Sequence, residues 1–203
     1  MIYNQILKRI KAKKRGWVFT AKDFLDLGYK RNTIDQVLLR LSDDSDNQKN
    51  KILRLSRGIY YFPTINKNLG IIPPSMDLVA KVIADSDGHE IYPSGAAAAN
   101  ILGLSNQVPA RNIYWTDGKS KTKQIGNNYI YFKHINIKPI SNISAVALLV
   151  INSLMFLGKS RITDDIIKKC SICLNSTDRK HLRNMMPRVS GWLANYINQI
   201  AAV

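Results

Sequence analysis

Apolar positions set the reading of the first sixty residues. Ile2, Ile6, Leu7 and Ile10 recur at helical spacing, and the helix they predict ends in the basic run Lys11 to Arg15 and Gly16. Trp17-Val18-Phe19 suits a short strand or a packed turn. Thr20 followed by Asp23 has the pattern of a helix N-cap, with Asp as a shorter stand-in for the usual Glu. The second helix carries Phe24, Leu25 and Leu27 and stops at Gly28, which tolerates the left-handed cap. Asn32 is expected to cap a third helix with a buried stripe of Ile34, Val37, Leu38 and Leu41. The polar stretch Ser42 to Asn50 reads as a loop. Two β-rich runs, Ile52 to Leu55 and Ile59 to Phe62, flank Ser56-Arg57-Gly58 and predict a hairpin that Pro63 closes. Helix, short strand, helix, tight turn, helix, hairpin is the order of a winged helix-turn-helix, assigned to residues 1–63.

Residues 64–74, with Asn, Lys and two prolines, are expected to be a linker. A second domain is expected over 75–203, α/β to about residue 140 and helical over 141–203. Ser75 is its predicted N-cap, ahead of Met76, Val79, Ala80 and Ile83 on one helical face. Ser94 to Gly103 reads as a small-residue helix that packs close to a neighbour. Asn112 to Trp115 and Asn128 to Phe132 read as strands joined by the polar stretch Asp117 to Lys123. The helical tail has breaks near Gly158, Asn175 and Pro187. The fold class is therefore α+β: a winged helix-turn-helix followed by a mixed α/β domain with a helical tail.

Charge changes the picture next. Lys and Arg number 30 against 14 acids, a formal net charge of +16. Genomic bias could inflate lysine, but it would not by itself make acids scarce. Such an excess favours a polyanionic partner, nucleic acid before membrane. The run Ala145 to Leu157 is too short to span a bilayer, and nothing after Met1 reads as a signal peptide. Two cysteines, Cys170 and Cys173, give no disulfide framework and fit a reducing compartment. A cytoplasmic location is the expectation.

If the stripe on the third helix faces inward, Thr33, Gln36 and Arg40 line the opposite face. Arg can bridge guanine O6 and N7, Gln can pair with adenine, and the Thr methyl can touch a thymine methyl. Lys30 and Arg31 precede the helix, where backbone N–H groups also favour phosphate. Arg54 and Arg57 would charge the wing, and Lys13, Lys14 and Arg15 complete the expected DNA-binding set. Lys119, Lys121 and Lys123, read as a lysine-rich hairpin tip, are auxiliary phosphate contacts or simply solvated. Catalytic chemistry finds little support. There is no phosphate loop ending in Lys-Ser/Thr and no Gly-x-Ser-x-Gly elbow. Asp87-Gly88-His89-Glu90 gathers acids without the further Lys of a nuclease site. Cys170-Ser-Ile-Cys173 is half a zinc site without a second pair. No cofactor, metal or catalytic residue is expected.

Three stretches carry a resemblance: Leu55-Ser-Arg-Gly58-Ile-Tyr-Tyr-Phe-Pro63, Tyr92-Pro-Ser-Gly95 through Gly103-Leu, and Gln107-Val-Pro-Ala-Arg111 through Gly118. In order and spacing they resemble the AbiEi-type antitoxins of type IV, or abortive-infection, toxin–antitoxin systems, over roughly Met1 to His134. The resemblance implies a winged helix that represses its own operon. It also implies a C-terminal domain that counters a nucleotidyltransferase-like toxin, with or without a direct complex. Double-stranded operator DNA and that toxin are the implied partners, and the implied protein is not an enzyme. The rival readings are a plain transcription factor with a ligand-sensing domain and, less favoured, a DNA-acting enzyme.

Overall fold

The apolar spacing of the first residues produces α1 (Ile2–Ala12), which buries Ile6 and Ile10. The computed structural model describes residues 1–43, 52–107, 109–135 and 143–202, and the chain is a mixed α+β protein. It divides into two units, Met1–Glu90 with Thr122–Ile130, and Ile91–Lys121 with Tyr131–Val203.

In the first unit β1 (Val18–Phe19) leads into a 3₁₀ helix, Ala21–Leu27. Thr20 and Asp23 cap that helix reciprocally. The Lys22 amide donates to Thr20 Oγ1 at 3.2 Å, and the Thr20 amide donates to Asp23 Oδ2 at 2.8 Å. The shorter Asp therefore suffices where Glu is usual. Gly28 ends the helix at φ 79°, a left-handed conformation that other residues adopt only at a cost. Helix α2 (Arg31–Asp43) buries Ile34, Val37, Leu38 and Leu41, the stripe that the spacing predicts. Its start differs from expectation. The Lys30 carbonyl accepts from the amides of Thr33 and Ile34, so Asn32 lies inside the first turn instead of capping it. From residue 44 on, the loop expected over Ser42 to Asn50 lies outside the described residues.

Strands β2 (Leu53–Ser56) and β3 (Ile59–Tyr61) form the expected hairpin, and β1 joins it on the far side of β3. The register pairs Val18 with Tyr61 and Arg54 with Tyr60. Phe19, Phe24, Ile34, Leu38, Tyr60 and Phe62 meet in one core, with the Phe19 and Phe24 rings edge-on at 5.7 Å. A surface staple closes the helical side: Arg9 grips Asp26 with both terminal nitrogens, at 2.5 and 2.7 Å, and donates to the Asp23 carbonyl.

Residues 64–74, read as a linker, contain a two-stranded hairpin, β4 (Thr64–Asn66) and β5 (Gly70–Ile72). Tyr61 anchors its base, accepting from the Thr64 amide and donating to the Ile72 carbonyl. The turn is held by Asn66, whose side-chain oxygen accepts from the amides of Asn68 and Leu69. Asparagine thus signals a turn here, where it had suggested irregular chain. Helix α3 (Met76–Asp87), capped by Ser75, follows within the same unit.

The second unit contains β6 (Ile91–Pro93), α4 (Gly95–Ile101) and β7 (Asn112–Thr116). Strands β8 (Lys121–Ile125) and β9 (Asn128–His134) follow in a sheet of order β6-β7-β9-β8, residues 122–130 belonging to the first unit. Lys119 to Lys123 is therefore not a hairpin tip. The turn lies at Gly126-Asn127, and two of the three lysines stand on β8. The start of the expected tail, residues 141–142, is outside the described residues. The tail itself is α5 (Ala145–Leu157), α6 (Asp164–Ile172), α7 (Ser176–Met185) and α8 (Gly191–Ala202). Helix α5 is apolar nearly all round, as a central helix must be, and α4 packs on it where Gly95 leaves room. Arg179 and Arg183 close the end of α8 by donating to the carbonyls of Ile200 and Ala201, where the helix dipole favours cations. Among the described residues no helix is long and apolar enough to cross a membrane.

Candidate nucleic-acid interface

Inward packing of the α2 stripe leaves Thr33, Gln36 and Arg40 exposed on the other side of the helix. Their spacing keeps them within reach of one another along one face. Leu39 joins them, with 39% of its surface exposed. An apolar side chain next to Arg40 and off the buried stripe was the signal for it in the sequence. It offers a surface for a thymine methyl.

The expected cations divide by what they touch. Lys14, Lys30, Arg40, Arg54 and Arg57 are exposed. Lys13 is exposed too, with its ammonium 5.5 Å from the centroid of Trp17. Arg31 pairs with Asp35 one turn on, at 3.7 Å, which orients its guanidinium. Arg15 is committed to the fold. Its guanidinium donates to the Pro63 carbonyl at 2.8 Å and lies 4.8 Å from the Phe62 ring. Within a basic run Arg15 looks like its lysine neighbours, and nothing in the sequence separates it from them.

On the hairpin, Arg54 sits across from Tyr60. Burial pushes the Tyr60 phenol above its ordinary value, and the Arg54 charge opposes that rise only in part. The phenol therefore stays neutral in the physiological range.

Lys123 belongs to the first unit, where it stands at a cleft with Arg31, Arg57 and Lys22. Sequence reasoning missed Lys22, which looks like an ordinary surface residue of a helix. Its ammonium donates to the Ser86 carbonyl at the end of α3. Lys119 and Lys121 lie in the second unit. Lys119 is exposed, and the Lys121 ammonium lies 4.9 Å from the Phe132 ring. Lys121 and Lys123 share the half-buried face of β8, and Lys119 lies outside the strand.

Cys170 is buried, and burial pushes its thiol up to about 12, whereas Cys173 at the end of α6 is exposed. Among the described residues no three of His, Cys, Asp and Glu gather as a metal site.

A mixed α+β chain with an exposed polar helix face and an arginine-bearing hairpin in one unit is the class these observations define. The chain belongs to a family of unknown function, DUF6088, which it matches over residues 5–182. No curated protein matches it.

Proposed function

We propose that the first unit is a winged helix-turn-helix that binds double-stranded DNA, with α2 as the recognition helix and the β2–β3 hairpin as the wing. The observation that carries this is the exposed face Thr33, Gln36 and Arg40 on a helix whose other side is locked into the core. The same unit holds a hairpin with Arg54 and Arg57 exposed. The net charge of +16 supports it. In this reading Gln36 and Arg40 read base edges, while Lys30, Arg54 and Arg57 hold phosphates.

The narrower role rests on the resemblance of the three stretches named above. We propose an antitoxin that represses its own operon and counters a nucleotidyltransferase-like toxin. Co-expression with such a toxin encoded beside it should restore growth, and failure to do so would leave a plain repressor.

Competition binding tests the DNA reading, using the duplex upstream of the protein's own coding sequence against a scrambled duplex. Gln36→Ala and Arg40→Ala should each cost about 1–3 kcal/mol on the first and little on the second. Arg57→Ala should weaken both alike. Equal losses on both duplexes for all three variants would reduce α2 to a charged surface and refute its assignment as a reader.

A further inference from the structure

Four cations from four separate parts of the chain line one cleft of about 380 Å³ in the first unit. Lys22 comes from the 3₁₀ helix, Arg31 from the start of α2, Arg57 from the hairpin turn and Lys123 from β8. The hydroxyl-bearing residues Thr20 and Ser86 line it too. We propose that this cleft is a binding site for a phosphate group.

The charge balance is the first argument. Asp87 is the one carboxylate among the lining residues, against four cations of which Arg31 is paired with Asp35 from outside the lining. Like charges held around a concave surface repel one another, and a dianion entering between them converts that repulsion into attraction. Two of the cations are positioned by the protein itself. Lys22 is held by the Ser86 carbonyl, and Arg31 is oriented by Asp35 at 3.7 Å. Among the described residues neither Arg57 nor Lys123 has an ion-pair partner. Their charges are therefore available to a ligand.

The kind of anion follows from the donors. Two arginines and two lysines from four different elements line the cleft, which suits a ligand with acceptor oxygens in several directions. Phosphate does so tetrahedrally, and it takes paired N–H donors from arginine especially well. A carboxylate, with two oxygens in one plane, would leave part of the set unused. The cleft is also of the size that holds small ligands.

Arg31 and Arg57 belong both to this cleft and to the proposed DNA interface, and the inference deepens that reading where the phosphate comes from a DNA strand. The alternative source is a free phosphorylated compound. The cleft itself needs only the four residues named.

Calorimetric titration of the full chain with inorganic pyrophosphate at low salt is the test. Saturable binding with a Kd below about 1 mM is expected. Lys123→Ala, Lys123→Gln and Arg57→Ala should each weaken it about tenfold. Lys67→Ala, at an exposed cation in the β4–β5 turn, should not. Circular dichroism of each variant separates loss of the site from loss of the fold. Absence of saturable binding, or an equal loss in Lys67→Ala, overturns the proposal. Displacement of the upstream duplex by pyrophosphate, with duplex affinity lowered by Lys123→Ala, makes the occupant a strand phosphate. Pyrophosphate binding that leaves the duplex in place makes it a free phosphorylated compound. Pyrophosphate binding in a protein that binds no duplex refutes the DNA reading and leaves the cleft standing.

Discussion

Replacing Gly95 with alanine adds a single methyl group where α4 meets α5. A Cβ there would lie 2.6 Å from the Phe156 Cβ and 2.9 Å from the Asn152 carbonyl oxygen. Carbon atoms pack best at about 3.5–4.0 Å, so α4 and α5 would have to part by roughly 1 Å. Neither neighbour can swing aside: one is a backbone oxygen and the other a Cβ fixed to the α5 backbone. Forced overpacking of this kind costs about 1–3 kcal/mol. Parting the helices also stretches the 3.3 Å bond from Asn152 Nδ2 to the Pro93 carbonyl. Asn152 is buried and its Oδ1 has no partner among the described residues, so losing that bond leaves the amide with none there. Alanine's better helix propensity returns at most about 1 kcal/mol, and less at the first position of a helix.

The net expectation is a loss of about 2 kcal/mol, or about 4–8 °C in melting temperature for a chain of this length. Thermal unfolding followed by circular dichroism measures it. Gly191→Ala is the control, because a Cβ at the start of α8 meets nothing within 4 Å. It should be neutral or slightly stabilising. Were Gly95→Ala to melt with the wild type, the close approach of α4 and α5 would not be a constraint on this fold.

Three further outcomes are expected. With Arg15 assigned to Pro63 and Arg40 to base edges, six of the eight candidate cations are left for phosphate. If these six contact the duplex, log K against log salt should fall with a slope of about −5, and a slope shallower than about −2 removes the electrostatic case. Cys173 is exposed while the Cys170 thiol is buried and pushed up to about 12, so an alkylating reagent near pH 8 should modify one cysteine in the native protein and two in denaturant. Mass spectrometry reads the count, and two modifications in the native state would contradict the packing of α6. The hydrogen bonds from Arg9 hold the Asp26 carboxyl below its ordinary range, so the unfolded chain binds that proton more readily. The stabilisation is then present above the ordinary aspartate range and lost as pH falls through the lower folded value. Asp26→Asn should unfold more easily than wild type at pH 7, the gap closing below about pH 4, and a gap independent of pH would show that the pair contributes nothing through its charge.

What the sequence revealed and what it hid follow from the range of the interactions involved. The α2 stripe was legible because burial on a helix repeats every three to four residues, and Gly58 marked the β2–β3 turn by its chemistry. Strand β8 was hidden for a physical reason. Its half-buried positions are Lys121 and Lys123, whose apolar stems can line a sheet while their ammonium groups reach outward. Lysine at the inward positions erases the alternation that would announce a strand. The cleft was invisible because residues 22, 31, 57 and 123 meet only through tertiary structure, and no local pattern connects them.

The basic excess itself needs a finer reading than net charge allows. With only 14 acids in the chain, several arginines satisfy their guanidinium groups on backbone carbonyls. Arg9 donates to Asp23, Arg15 to Pro63, Arg161 to Leu157, Arg179 to Ser171 and Ile200, and Arg183 to Ala201. A carbonyl accepts such a bond without cancelling the charge, so these residues staple the fold and still contribute to its positive field. In the first unit, Arg31, Arg40, Arg54 and Arg57 are the arginines that donate to no carbonyl among the described residues, and all four stand on α2 or the β2–β3 hairpin. Arg31 is paired with Asp35, whereas Arg40, Arg54 and Arg57 have no ion-pair partner among the described residues. Those four positions coincide with the surface that the proposed DNA reading assigns to the duplex.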